Sequence, residues 1–175
     1  MRLRPVTHDD VPALARLVRA CSETQRDWAG AHIPIPSIEE EELEWTLRLG
    51  RRGAWTLLAE EDGAAIVAVV AYAAGTVSRQ DRTPVPGLAH VNAVFVHPDR
   101  WRRGIARRLL GHAEAAMVQQ GYGRAQLWTL EGSPAERLYT AAGWRRDGRR
   151  EAYPPMGLIV VAYVKQLGGG ASTRA

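Results

Sequence analysis

Apolar residues at Val11, Leu14, Leu17, Val18 and Cys21 recur at three-and-four spacing, which predicts one helix face. Thr7-His8-Asp9-Asp10 precedes them as an N-cap with acids in the first turn, and Leu3 to Val6 reads as a short strand before it. Cys21 shares the apolar face, so it is assigned to packing and not to a catalytic thiol. Ser22 to Pro36 has no period and contains Trp28, Gly30, Pro34 and Pro36, which predicts a long loop. Ser37-Ile38-Glu39-Glu40 is a capping-box pattern, and Leu43, Trp45 and Leu47 continue it as a second helix to near Gly50. Two strand-like runs follow, Ala54 to Glu60 and Ala64 to Thr76, joined through the hairpin signal Glu61-Asp62-Gly63.

Ser78 to Gly87 is polar, with Pro84 and Pro86, and is expected to loop out before a strand at His90 to Val96. From Gly104 to Gln120, Ile105, Leu109, Ala113, Ala116 and Met117 mark a helix that Gly121 ends. A strand at Ala125 to Leu130 leads into Ser133-Pro134-Ala135-Glu136, read as an N-cap, a first-turn proline and a capping-box acid, and Gly143 stops this short helix. Trp144 to Arg149 and Gly157 to Val164 are the last strands. The order describes one α/β domain over residues 1–167, with a flexible tail at 168–175. Its middle switches from hairpins to a strand-helix-strand unit, where ligands tend to bind.

Composition adds limits. The 175 residues are 46% hydrophobic and 24% charged, which fits one globular core and excludes disordered, collagenous and fibrous classes. The longest apolar stretch, Ala64 to Ala74, is about half of the ~20 residues a membrane span needs, and Met1-Arg2-Leu3-Arg4-Pro5 opens no signal peptide. Cys21 is the one cysteine, so neither an intrachain disulfide nor a cysteine-based zinc site forms; no metal is expected, and the compartment indicated is the cytoplasm. Lys165 is the sole lysine among 23 Lys+Arg, and the net charge is +4. Two readings of this arginine bias stay open: a codon preference expressed on solvated faces, or a phosphate-bearing ligand, for which guanidinium is suited. The densest group is Arg100, Arg102, Arg103, Arg107 and Arg108.

That group lies in the most informative stretch, Val94 to Leu110, which reads as strand, turn and helix. A helix start exposes unpartnered N–H groups and a partial positive charge, so a phosphate fits it; Gly104 admits close backbone approach, and Ala106 keeps the next turn uncrowded. The stretch resembles motif A of the GNAT N-acetyltransferase family: Arg or Gln, two residues, Gly, one residue, Gly or Ala. Trp101 stands where Arg or Gln is usual, while Gly104 and Ala106 match. Gly132-Ser133-Pro134-Ala135-Glu136-Arg137-Leu138-Tyr139-Thr140-Ala141-Ala142-Gly143-Trp144 resembles the family's motif B, with Ala135, Tyr139, Gly143 and Trp144 in register and Gly132 in place of Asn. Both motifs occur in family order, and the element order fits most of the chain.

The resemblance implies a GNAT fold: a central twisted sheet of six to seven mixed, mostly antiparallel strands, flanked by about four helices. The strands ending near Val96 and Leu130 would splay apart, and acetyl-CoA would lie between them. Cofactor contacts then fall on Val94, Phe95, Val96, Arg102, Arg103, Gly104, Ile105, Ala106, Arg107, Gly132, Ala135 and Tyr139. The implied activity is acetyl transfer to a primary amine by direct attack in a ternary complex. In the family, Tyr at the position of Tyr139 often protonates the departing thiolate; a core aromatic is the alternative reading. His90 falls where many relatives place a glutamate base, with Asn92 two residues on, and Glu131 is a second candidate; a hydrogen-bonded structural histidine is equally open.

Trp28, His32, Tyr72 and Trp128 are acceptor-site candidates, or core and plug residues. Glu39 to Glu42 is either a cation-recognising run or an acidic first helical turn. The acceptor is a small-molecule or peptide amine whose identity one sequence does not fix. Dimers are common among relatives, so a homodimer is one open expectation. Competing classes are a non-catalytic acyl-CoA-binding module and, ranked last, an arginine-rich nucleic-acid binder.

Overall fold

The computed structural model describes residues 1–168 except 52, 62, 64, 79 and 80. Asp62 of the expected hairpin, Ala64 at the start of its second strand, and tail residues 169–175 lie outside the described residues. The chain runs β1 (Arg2–Pro5), α1 (Val11–Glu23), α2 (Arg26–Ala29), α3 (Ile38–Leu49), β2 (Trp55–Glu61), β3 (Ala65–Thr76), β4 (Pro84–Val96), α4 (Ile105–Gln119), β5 (Arg124–Leu130), α5 (Ala135–Ala141), β6 (Arg145–Tyr153) and β7 (Leu158–Gln166). Seven strands form one sheet in the order β1-β2-β3-β4-β5-β7-β6. Among the described residues only β4 and β5 pair in parallel; the other ladders are antiparallel.

β3 is apolar without alternation because both of its faces are covered. Val69 and Ala71 pack with Leu14, Leu17, Val18 and Trp45 of α1 and α3, while Val70 and Tyr72 pack on the other face with Leu109, Leu110 and Met117 of α4. The expected periodicity of α1 holds, and Cys21 is buried on its inner face. Ser37 and Glu40 close a reciprocal capping box at α3, so the acidic run there serves the helix start. Among the described residues, no helix is long and apolar enough to cross a membrane.

Three local expectations need correction. The long loop from Ser22 to Pro36 contains one short helix, α2, and α1 itself runs to Glu23. β4 starts at Pro84, not His90, and includes both prolines; its early residues lie outside the β5 ladder, which begins at Leu88, so the missing N–H groups are tolerated there. At α5, Ser133 does not cap the helix: its hydroxyl meets that of Thr129 at 3.1 Å, and the Glu136 carboxylate accepts from the N–H of Gly132 instead.

The site depends on one irregularity in β4. Ala71 faces Ala93, but the next residue, Tyr72, faces Val91, so Asn92 is an extra residue bulged out of the ladder. Bulges bend and twist a strand. β4 pairs with β5 only from Leu88 to Val91, and beyond the bulge the two strands separate as β5 continues along β7 to Leu130.

Candidate active site

The separated edge of β4 has a defined orientation. The N–H of His97 donates to Val67 of β3 at 2.8 Å, so the preceding Val96 carbonyl points away from β3, into the opening. Strand alternation gives Val94 the same outward edge. Val96 O already accepts the indole N–H of Trp101 at 2.7 Å and lies 3.2 Å from the Cys21 thiol. At the bulge, Arg48 from α3 donates to Asn92 O at 2.7 Å and to Asn92 Oδ1 at 3.0 Å. The Val94 backbone is thus the section of edge that lies between these two occupied carbonyls.

The turn after β4 leaves open space and unbonded backbone donors at the start of α4. Gly104 has φ 74°, and a Cβ there would meet nothing within 4 Å, so its space is open to a ligand. Arg102 also has positive φ, at 59°, a costly conformation for a residue with a side chain. The first intrahelical bond of α4 runs from Arg108 N–H to Gly104 O at 3.0 Å, which leaves the N–H groups of Ile105, Ala106 and Arg107 facing outward.

Two cavities adjoin at the splay. One, of about 440 Å³, follows the phosphate-type turn along Val94, Phe95, Val96, Arg102, Gly104, Ile105, Ala106 and Arg107, and reaches Ala135 and Tyr139. The other, of about 740 Å³, shares Val94, Phe95, Ala135 and Tyr139 with it and includes Trp28, Arg48, His90, Asn92, Gln126 and Trp128. Tyr139 lines both, as do Cys21, Trp101 and Ala135.

Tyr139 is placed by α5, and α5 by Glu136. That carboxylate accepts from Gly132 N–H at 2.8 Å, from the Tyr163 hydroxyl at 2.6 Å and from Arg146 at 2.8 Å. Burial works to raise the Glu136 pKa, but the Tyr163 hydroxyl and Arg146 outweigh it, and the group is held below the ordinary carboxylate value. Tyr139 itself is 7% exposed, between Trp144 and Tyr163, and burial pushes its hydroxyl well above the ordinary tyrosine value. It therefore remains protonated, as a proton donor must.

His90 faces the larger cavity from β4, beside Gln126 in the β4–β5 ladder. Gln126 is tied to Thr76 O at 3.3 Å and to Arg149 at 3.0 Å, and Arg149 lies over the Trp128 ring at 5.2 Å. Glu131 is a correction. It is clamped by Arg150 and Arg146, which hold it below the ordinary carboxylate value, and it lines neither cavity. A carboxylate so occupied is a poor base.

Tyr72 is also corrected. It is fully buried, stacked on Trp55 at 4.9 Å and edge-on to Tyr122 at 6.2 Å, and its burial raises the hydroxyl to about 12. His32 is exposed outside the cleft, whereas Trp28 and Trp128 line it. Arg103 and Gly132 border neither cavity; Gly132, with φ 81°, shapes the turn into α5. Arg48 and Arg82 went unrecognised in the sequence, because nothing in α3 or in the loop before β4 marks which side chains the bulge and splay will expose.

The fold recurs in solved proteins. It matches the ribosomal-protein-alanine N-acetyltransferase of Brucella melitensis at 19% identity and TM-score 0.71, covering 95% of this chain and 100% of that one. An acetyltransferase from Thermus thermophilus matches at 22% identity and TM-score 0.69, over 95% of this chain and 96% of that chain. An N-acetyltransferase from Staphylococcus aureus matches at 14% identity and TM-score 0.70, over 94% and 97%. No curated protein matches the chain. The family model described as acetyltransferase (GNAT) family matches residues 17–144. That segment takes in α3, the Asn92 bulge, the Gly104 turn and Tyr139, and it extends over most of the sequence: the chain belongs to the acetyltransferase (GNAT) family.

Proposed function

We propose that this protein is an acetyl-CoA-dependent N-acetyltransferase acting on a primary amine by direct attack in a ternary complex. The observation that carries the reading is the joined pair of cavities, one leading from the Gly104 turn and one open to an acceptor, with Tyr139 at their shared wall. The residues present fit acetyl-CoA. Outward N–H groups at the start of α4, with Arg102 and Arg107 beside them, suit a pyrophosphate. The Val94 edge suits the amides of a pantetheine arm, which would bind as an added strand does.

In the transfer, the amine nitrogen attacks the thioester carbonyl carbon, the C–N bond forms and the C–S bond breaks. The amine must be uncharged to attack. An alkyl ammonium has a pKa of about 10.4, so a base must take its proton, and His90, directly or through a water, is the group assigned to this. The electron pair of the broken bond stays on sulfur, which takes a proton from Tyr139. A panel of amines with acetyl-CoA tests the reading by thiol release and by mass-spectrometric detection of acetylated product. CoA binding with no thiol release for any amine would instead favour a non-catalytic binding module.

A further inference from the structure

The acceptor cavity has an unbalanced charge. Arg48 and Arg51 of the α3 end and Arg82 of the loop before β4 line it, and the carboxylate among them is Glu44. Glu44 is shared: Arg48 approaches it at 3.1 Å and Arg51 at 3.9 Å. Arg82 makes no ion pair among the described residues. Arg48 is the most enclosed of the three, its side chain 16% exposed, held over the Trp45 ring at 4.9 Å and with its Nε buried without a hydrogen bond. Burial lowers its pKa from the ordinary arginine value, with Arg51 adding to this and Glu44 and Glu41 opposing it.

Such a cleft repels a bare ammonium. It accepts an amine whose own negative group answers the arginines, and the same positive field favours loss of the amine proton near His90. Guanidinium forks match carboxylates in geometry, and Trp28 and Trp128 in the same cavity offer flat apolar walls. We infer that the acceptor is a small amine bearing a carboxylate close to its amino group, of the free amino acid type, with the carboxylate held by Arg51 and Arg82, beside the charge of the already bonded Arg48. This rests on the acetyltransferase reading above and names the substrate class for that site.

The test uses matched pairs that differ by one carboxylate: phenylalanine with phenethylamine, and glutamate with γ-aminobutyrate, each assayed with acetyl-CoA. The expected result is a kcat/KM ratio of tenfold or more for the α-carboxylate-bearing member of at least one pair, the range of one charge-assisted contact. In the double variant Arg51→Gln, Arg82→Gln, both sites being on the exposed surface, that ratio should collapse towards one. Equal rates within both pairs overturn the inference while leaving the acetyltransferase reading intact, and so does turnover confined to peptides with acidic residues. Should no amine support thiol release, the acetyltransferase reading fails, and binding still decides the inference. In the CoA complex, N-acetylphenylalanine should quench tryptophan fluorescence at concentrations tenfold or more below N-acetylphenethylamine, a difference lost in the double variant. Equal binding of the two overturns it.

Discussion

The indole N–H of Trp101 donates to the Val96 carbonyl at 2.7 Å and so occupies the last outward acceptor of β4. The substitution in the usual Arg or Gln position therefore does local work: it ties the turn back onto the strand that it leaves. Val96 O retains the Cys21 thiol at 3.2 Å, a weak donor, when the indole is removed. Trp101→Phe is expected to lower stability by about 1 kcal/mol, the usual net value of one hydrogen bond. Urea unfolding measures it, with an unchanged slope showing that the compactness of both states is kept. No loss of stability would show the contact to be energetically idle.

Binding of CoA is the next expectation, and it rests on the Gly104 turn. Ligand at about 100 times its dissociation constant should add about 2.7 kcal/mol, read as a raised Tm. Gly104→Glu should erase the shift, because it places a side chain at φ 74° and a negative charge where the outward N–H groups converge. The absence of any shift for the wild type at millimolar CoA would remove the pyrophosphate assignment.

Tyr139→Phe separates acid catalysis from packing. The ring keeps its contacts with Trp144 and Tyr163, so the CoA-induced Tm shift should persist. Turnover should fall by about 10²–10⁴-fold, the span of a positioned proton donor, if the hydroxyl protonates sulfur. Because burial holds the hydroxyl protonated, the wild-type rate should show no loss from Tyr139 ionisation at neutral pH. Unimpaired turnover with chemistry limiting would leave Tyr139 as a core aromatic.

Much of this was legible in the sequence where the signal is local. The helix faces, the Ser37 capping box and the Gly104 turn follow from spacing and turn chemistry alone, whereas the expected Ser133 cap of α5 does not form. Misreadings cluster where tertiary pairing decides. Pro84 and Pro86 suggest a loop, yet they fall on a section of β4 ahead of its pairing with β5. Tyr72 is open to either a cleft or a core reading in the sequence, but both faces of β3 are covered, and the side chain lies between Trp55 and Tyr122. Glu131 looks like a free carboxylate until the β6 arginines fold over it. The Asn92 bulge that opens the site has no local signature, because it is a relation between β3 and β4.

Asp10 gives a pH-dependent term in stability. Its carboxylate takes two bonds from Arg4, at 2.6 and 2.8 Å, and one from the Thr7 N–H at 2.7 Å. The Arg4 hydrogen bonds are the largest cause, and against the cost of burial they lower its pKa from 3.8 to about 2. A depressed folded-state pKa means the stabilisation is full above the unfolded value near 3.8 and is lost as pH falls through about 2. The side chain is only 10% exposed, so roughly 2 kcal/mol is at stake. Asp10→Asn should be less stable at neutral pH, with the gap to wild type closing between about pH 4 and 2 in denaturant unfolding. A gap that stayed constant with pH would assign the loss to hydrogen bonding and not to charge.

The base is tested through the pH dependence of transfer. His90 projects from β4 into the acceptor cavity, upstream of the CoA turn, so its removal should leave the CoA-induced Tm shift intact. A rate that needs a neutral base on the protein should rise with pH through an inflection set by the enzyme and then level. His90→Ala should lower the rate and abolish that inflection. A rise with pH is not diagnostic alone, since the unprotonated fraction of a free amine also grows. The two causes separate when the acceptor is changed: a base on the protein keeps its inflection, whereas an amine-limited rate follows the pKa of each amine. An identical profile in wild type and His90→Ala, with inflections that track the acceptor, would remove His90 from the mechanism. With Glu131 held by two arginines, the deprotonation would then fall to water or to the acceptor's own equilibrium.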